Sequence, residues 1–396
     1  MTAGTAGQAL EDLTTLVSFG PRFHGGPGIH AAADWLVAQA SAAGYAPVRQ
    51  RVVLSGWQPG TVSDVVVTSP LRRALPAWPM LSSGGAEGTV AGHVVELGPQ
   101  GIWGDSQVWQ HFAVVDPAGV VVAYLHGRDG GPAAPQPLPA GSDHTVPHLA
   151  IGRLDAQQLT EWIADGKEPA VDVRCNAGPD EEAVADNIVV DVPGASNARV
   201  LVCGHYDTFF NTVGAYDNGS GTIALLHLLR AWRETPPARS VRVLFFTAEE
   251  WHLAGSRFYV DVARSAPEGS ADRIDDLDFV LNIDGLGRGD FLEAFASPES
   301  FNTALHLAVE SHGRRVGRAL RVVSRFPPTT GTDDASFYRA GVPSAFMTFN
   351  DLHRLHQPDD LPNDGIAANI AWTVGLASSL VDGLPRAARF DPPGVL

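Results

Sequence analysis

The sequence predicts an α/β protein with a mixed, mostly parallel central sheet, helices on both faces, and an inserted, mostly β domain. Three observations predict it. From Asn187 onward, short apolar runs alternate with segments of helical spacing, which is the pattern of an open α/β sheet. Ahead of that region the texture changes to short β-like runs broken by glycine and proline. The chain has 396 residues, more than one small core usually fills, so a large domain with an insert is expected.

The elements follow in order. Residues 29–44 place Ile29, Ala32, Ala33, Leu36 and Ala40 at helical spacing and stop at Gly44. An extended stretch, 46–54, comes next. From about 55 to 179 the runs 65–67, 90–95 and 120–124 read as β, and the Gly/Pro-rich stretch 127–147 reads as a long loop. A helix over 155–165 follows the short run 149–151. The later runs 188–190, 200–203, 241–246, 279–283 and 344–349 read as strands buried on both faces. Helical segments 222–232, 255–263 and 300–310 are interspersed. The expected division is 1–54 and 183–396 for the main domain, with 55–182 inserted.

Composition narrows the function classes. Hydrophobic residues make up 44% and charged residues 18%, which is globular rather than disordered. A formal charge of −17 argues against nucleic acid or an anionic membrane as the main partner, and serves solubility. Cys175 and Cys203 are the two cysteines, too few for a disulfide framework. Residues 1–10 lack a basic stretch followed by an apolar run, and no segment reaches the roughly 18 uninterrupted apolar residues of a membrane span. A cytoplasmic location is the expectation. The sequence carries no expectation for the oligomeric state.

The chemistry is concentrated where strands end. The run 200–203 leads into Gly204-His205-Tyr206-Asp207, and 241–246 leads into Thr247-Ala248-Glu249-Glu250. The run 279–283 meets Asp284, and 344–349 is followed within a short loop by His353 and His356. Asp217 stands just ahead of the glycine-rich start of the 222–232 helix. Open α/β sheets place their sites beyond the carboxyl ends of the strands. One acid after a strand is usually a cap or a solvated loop residue. Histidines and carboxylates gathered at one sheet edge suit zinc, which takes imidazole nitrogen and carboxylate oxygen. Without a cation the carboxylates would repel one another.

The motifs GHYDT at 204–208, GAYDNGSG at 214–221, TAEE with a following GS pair at 247–256, NID at 282–284, GTDDASFYRAGVP at 331–343 and HQPDD at 356–360 occur in one order. In that order and spacing they resemble the co-catalytic di-zinc exopeptidases. That family includes bacterial leucyl aminopeptidases, glutamate carboxypeptidase II and the transferrin receptor ectodomain. The resemblance covers roughly 10–54 and 183–385, and the insert looks, more loosely, like the protease-associated domain of many relatives. It implies two Zn2+ per chain: His205 and Asp284 on one, Glu250 and His356 on the other, and Asp217 bridging. Asp207 would fix the tautomer of the His205 ring, as ligating histidines generally need. Glu249 would bind no metal and act as general base towards a water shared by the two ions. The Asp217-Asn218 bond is expected to be cis. The implied activity is hydrolysis of a terminal amide of a short peptide or small amide, foremost as an aminopeptidase.

Three departures from the family pattern stand out. Leu355 replaces the Tyr or Trp that precedes the last histidine ligand in some relatives, so His252, His353 and Tyr216 become the candidate oxyanion donors. His252 replaces a usual glycine, and Asp334, beside Asp333, replaces a usual histidine. Competing readings are a carboxypeptidase or small-molecule amidohydrolase anchored by Arg288 or Arg325, a one-zinc glutaminyl cyclase, and a non-enzymatic receptor-like protein.

Overall fold

Runs of valine, leucine, isoleucine and phenylalanine build the main sheet, and their alternation decides which core each side chain enters. In the computed structural model, residues 3–391 are described except 104–106, 269, 271, 319–320 and 326–330. Two units result: Met1–Val53 with Val184–Leu396, and Leu54–Ala183. The chain passes between them along β1 (Val48–Gln58) and β2 (Gly178–Val192). Ahead of β1 stand α1 (Ala3–Val17) and α2 (Pro27–Ala42). After β2 come β3 (Ser196–His205), α3 (Ser220–Glu234), β4 (Arg239–Phe246), α4 (Ala254–Ser265) and β5 (Leu277–Leu286). The remainder is β6 (Phe291–Ser297), α5 (Glu299–Val316), β7 (Arg321–Arg325), α6 (Asp334–Tyr338), β8 (Ser344–Phe349) and α7 (Asp364–Gly383).

The eight strands are ordered β1-β2-β4-β3-β5-β8-β6-β7. β4, β3, β5 and β8 are mutually parallel, while β2 pairs antiparallel with β4 and β6 with β8. Period-two alternation along β3 sends Val200 and Val202 into one core and Leu201 and Cys203 into the other. The first core is shared with α1, α2, α3, α5 and α7, and the second with α4 and α6. This is the mixed α/β sheet with helices on both faces that the sequence predicts.

Several elements escape the sequence pattern: α1, β6, β7, α6 and α7. Among the described residues of α1 the buried apolar ones are Ala9, Leu13 and Leu16, a thin stripe among threonines and polar residues that include the buried Asp12. α7 is so rich in alanine and glycine that its register shows only on packing, where Ile366, Ile370, Trp372, Leu376 and Leu380 enter the core. Its start is marked by Asn363, whose side chain accepts from the Ile366 N–H at 3.1 Å. Proline at the start of α2 and left-handed Gly317 at the end of α5 delimit those helices.

The inserted unit is a second eight-stranded sheet with one helix, Arg153–Ala164. Its strands pair antiparallel, apart from Val121–Gly127 and His148–Ile151, which run parallel. Met80, Ile102, Trp109, Leu138 and Ala150 form part of its core. Among the described residues of the whole chain, no helix is long and apolar enough to cross a membrane.

Candidate metal centre

The four parallel strands bring their carboxyl ends to one sheet edge. β3 ends at His205, β4 gives way to Glu249-Glu250, β5 carries Asp284, and the loop after β8 returns His356. β3 is the switch point: the chain goes from it to β4 on one side and then to β5 on the other. Asp217 comes from a kinked turn, Ala215–Gly219, immediately before α3, in which Asp217 and Asn218 have non-helical backbone angles and the bond between them is cis.

These side chains form two buried clusters, His205 with Glu249 and Asp284, and Asp217 with Glu250 and His356. Asp217 faces both. Its Oδ1 lies 3.2 Å from His205 Nε2 and its Oδ2 lies 3.1 Å from His356 Nε2. Asp284 Oδ1 stands 3.3 Å from His205 Nε2, and Glu250 Oε2 stands 3.2 Å from His356 Nε2. Glu249 is the outlying carboxylate, with Oε2 3.9 Å from His205 Nε2.

The proton inventory of His205 tests whether a cation fits. Its Nδ1 lies 3.2 Å from the Asp207 carbonyl oxygen and 3.5 Å from Asp207 Oδ1, both pure acceptors, so Nδ1 carries the hydrogen. A neutral ring then presents the Nε2 lone pair to Asp217 and Asp284, which also offer only lone pairs. Such a contact needs either a proton, on the ring or on a carboxyl group, or a cation shared with the carboxylates. Without the cation, the ring takes the proton. Burial disfavours charge on His205, but Asp284, Glu249, Asp207 and Asp217 outweigh it and raise the pKa well above the usual imidazole value. For His356 burial is likewise outweighed, by Glu250 and Asp217, and the pKa is pushed up to about 10. Burial pushes Glu250 up to about 7 and Glu249 well above the carboxylate range. Burial also opposes charge on Asp217, yet hydrogen bonds from the two histidines hold its pKa below the usual value. Glu250 Oε1 is buried without a partner. Imidazole and carboxylate donors gathered in this way fit zinc.

A second set of residues holds the candidate ligands in place. Asp207 accepts from the main-chain N–H groups of Glu249 at 3.1 Å and Glu250 at 3.2 Å, so it anchors the β4 loop as well as facing the His205 ring. Asn218 joins the Asp217 turn to β5, donating to the Ile283 carbonyl at 3.0 Å and accepting from Gly285 N–H at 3.1 Å. Asp360 accepts from the N–H groups of Tyr216 at 2.8 Å and Asp217 at 3.2 Å. Arg22 is fully buried beneath the same loops and donates to three of their carbonyls. Burial lowers its pKa only to about 10, opposed by Asp207, Asp360, Asp217 and Glu250, so it remains charged at neutral pH. Asn218 and Asp360 lie within motifs visible in the sequence. Arg22 does not, and a single arginine between two helices carries no signal of its partners.

The remaining candidates fall as follows. His252 and His353 are exposed, and Leu355 is half-buried. Tyr216 is buried, and its hydroxyl donates to Asn350 Oδ1 at 3.2 Å. Asp333 and Asp334 are buried rather than in a surface loop, and burial pushes them up to about 8 and about 7. Arg288 is bound to Asp351, Nε to Oδ2 at 2.8 Å. The side chain of Arg325 lies outside the described ones.

A mixed sheet with imidazole and carboxylate groups gathered at the ends of its parallel strands fits the resemblance to the co-catalytic zinc exopeptidases. Residues 187–380, just under half of the chain, match the model of peptidase family M28. Leucine aminopeptidase 2 of Trichophyton equinum is 33% identical over 118 residues, which are 29% of this chain and 23% of that relative. The chain therefore matches about a quarter of that protein's length. Among solved structures, an aminopeptidase from Aneurinibacillus sp. strain AM-1 superposes with a TM-score of 0.70 at 18% identity, over 98% of this chain and 96% of that one. A zinc aminopeptidase from Bacillus subtilis gives a TM-score of 0.67 at 17% identity, over 95% and 94%. At these identities the structural likeness establishes the fold.

Proposed function

We propose that the chain is a di-zinc aminopeptidase that hydrolyses the first amide bond of a short peptide or aminoacyl amide. The observation that carries the reading is Asp217, whose two oxygens each face a different histidine at 3.2 and 3.1 Å. A carboxylate so placed suits a bridge between two ions. His205 and Asp284 would hold one zinc and Glu250 and His356 the other. When bound, a zinc pair lowers the pKa of a water towards ~7 and polarises the scissile carbonyl.

The chain's own residues supply the remaining steps. Glu249, the most distant of the three carboxylates that approach His205 Nε2, is left to take a proton from the attacking water and return it to the departing nitrogen. Asp207 holds the N–H groups of Glu249 and Glu250 and so fixes base and ligand relative to each other. An ammonium beside carboxylates gains charge-assisted hydrogen bonds, which favours a free amino end of the substrate. Of the two arginines that the carboxypeptidase alternative calls on, Arg288 is engaged by Asp351, and the side chain of Arg325 lies outside the described ones. The unit Leu54–Ala183 is read as a protease-associated-like insert on the basis of its place in the chain and its β character.

The test is metal analysis with a substrate panel of free and blocked ends. Two zinc ions per chain are expected, and acetylating a dipeptide or aminoacyl amide should lower kcat/KM at least tenfold, about 1.4 kcal/mol. Amidating the carboxyl end should matter less. The opposite ranking favours a carboxypeptidase, equal tolerance of both blocks a small-molecule amidohydrolase, and a single zinc at saturation the cyclase chemistry.

A further inference from the structure

The segment 21–26 lies outside the stretch that matches the family model, yet it touches three of the loops that carry the candidate ligands. The Arg22 guanidinium donates from Nε to the Tyr206 carbonyl at 2.6 Å, from Nη1 to the Val213 carbonyl at 2.5 Å, and from Nη2 to the Gly214 carbonyl at 2.9 Å. Tyr206 stands between His205 and Asp207, and Val213-Gly214 lead directly into the turn of Asp217. The main chain of Arg22 adds two bonds to Thr208, N–H to Oγ1 at 2.9 Å and carbonyl to the Thr208 N–H at 3.3 Å. Two residues on, His24 Nδ1 lies 2.9 Å from Thr247 Oγ1, at the start of the Glu249-Glu250 loop. The ring of Phe23 packs against Trp251, with centroids 5.3 Å apart, just past that pair. The segment is itself held close: a Cβ at Gly28 would meet the Pro21 carbonyl oxygen at 2.2 Å, so only glycine fits there.

We infer that residues 21–26 form a strap that positions the metal centre, with Arg22 as its positioning residue, fixing the spacing between the His205–Asp207 loop and the Asp217 turn. The inference rests on the di-zinc reading of those residues. The physical reason is the shape of the guanidinium. It is a planar fork of five N–H donors, and here each of its three nitrogens meets a carbonyl of the two loops. Buried carbonyls that lose their donors move to find others, and with them move the side chains one or two residues away. A lysine keeps the charge but presents its hydrogens from one nitrogen, which cannot reach all three carbonyls.

The test compares the full-length chain with Arg22→Lys and Arg22→Ala. Zinc affinity is read by competition with a chromophoric chelator, loop order by amide hydrogen exchange over 205–217 in metal-free protein, and kcat and KM on an aminoacyl amide. Both variants should bind zinc at least ~10-fold more weakly, as when groups that orient metal ligands are lost. Exchange over 205–217 should accelerate, with kcat falling ~10-fold or more and KM moving less than about threefold. Millimolar guanidinium should restore part of the zinc affinity of Arg22→Ala, which a merely structural role would not produce. Wild-type zinc affinity and exchange in both variants overturns the inference. So does global unfolding of both by circular dichroism, since Arg22 would then determine the fold rather than ligand placement. If the wild-type chain takes up no zinc, the metal reading fails on its own, and the exchange comparison still decides the strap.

Discussion

Asp207→Asn separates the two duties of one side chain. The carboxylate accepts two main-chain hydrogen bonds, from Glu249 at 3.1 Å and Glu250 at 3.2 Å, and all three groups are buried. Asparagine keeps one acceptor oxygen and turns an NH2 group towards the second N–H. One charge-assisted bond, worth about 1.5–3 kcal/mol, is lost, and a buried N–H is left facing a donor, at roughly 1–3 kcal/mol. Partial relaxation brings the expected loss to about 2–4 kcal/mol in zinc-loaded protein. Metal-free protein should lose less, because the change also removes one charge from a crowded group of carboxylates. For a unit of this size that corresponds to a fall in Tm of at least ~4 °C. The Glu249-Glu250 main chain moves with its acceptor, so zinc affinity should fall about 10–100-fold as well. Thermal unfolding with and without zinc, together with chelator competition, measures both. A variant with wild-type zinc affinity and a loaded Tm within ~1 °C would refute the claim that Asp207 anchors the loop.

Glu249→Gln should retain both zinc ions while turnover falls by about 10²–10⁴, the usual contribution of a general base. Glu250→Gln should instead weaken metal binding, and exchanged behaviour of the two variants reverses the assignment. Gly214→Ala should cost the binding of at least one zinc, measured by metal content. Gly214 has φ +53°, and a Cβ there would lie 2.1 Å from the Asp217 carbonyl oxygen and 2.4 Å from Thr208 Cγ2. In the inserted unit, burial lowers the pKa of His111 and His148 to about 4 and holds that of His126 well below 6.5. Unfolded chains bind these protons at higher pH than the folded unit, so stability is full above the unfolded value of about 6.5 and is lost as pH falls towards about 4. Imidazole resonances followed by NMR should show no protonation of the three rings above about pH 5, and midpoints near 6.5 would contradict their burial.

What the sequence determined by itself was the fold class and the resemblance to a family of zinc exopeptidases. Buried parallel strands need continuous apolar runs such as 200–203 and 241–246, and those runs are readable without any partner. The chemistry at their ends is readable for the same reason: His205, Glu249, Glu250 and Asp284 each follow or close such a run. Elements whose registers depend on packing were not readable. α7 carries alanine and glycine on every side, and β6 and β7 lie beyond β8 in the sheet, out of chain order. Tertiary structure alone decided how the ligand-type residues are held. It turned Asp207 towards the main chain of the next strand's loop and brought Asp360 to the amides of Tyr216 and Asp217. It also set Arg22 under loops some 185 residues further along the chain. The physical reason is that hydrogen bonds to main-chain carbonyls and amides place no demand on the partner's side chain. Nothing in the sequence around Tyr206, Val213 or Gly214 had to change to receive an arginine, so only the folded chain reveals the contact.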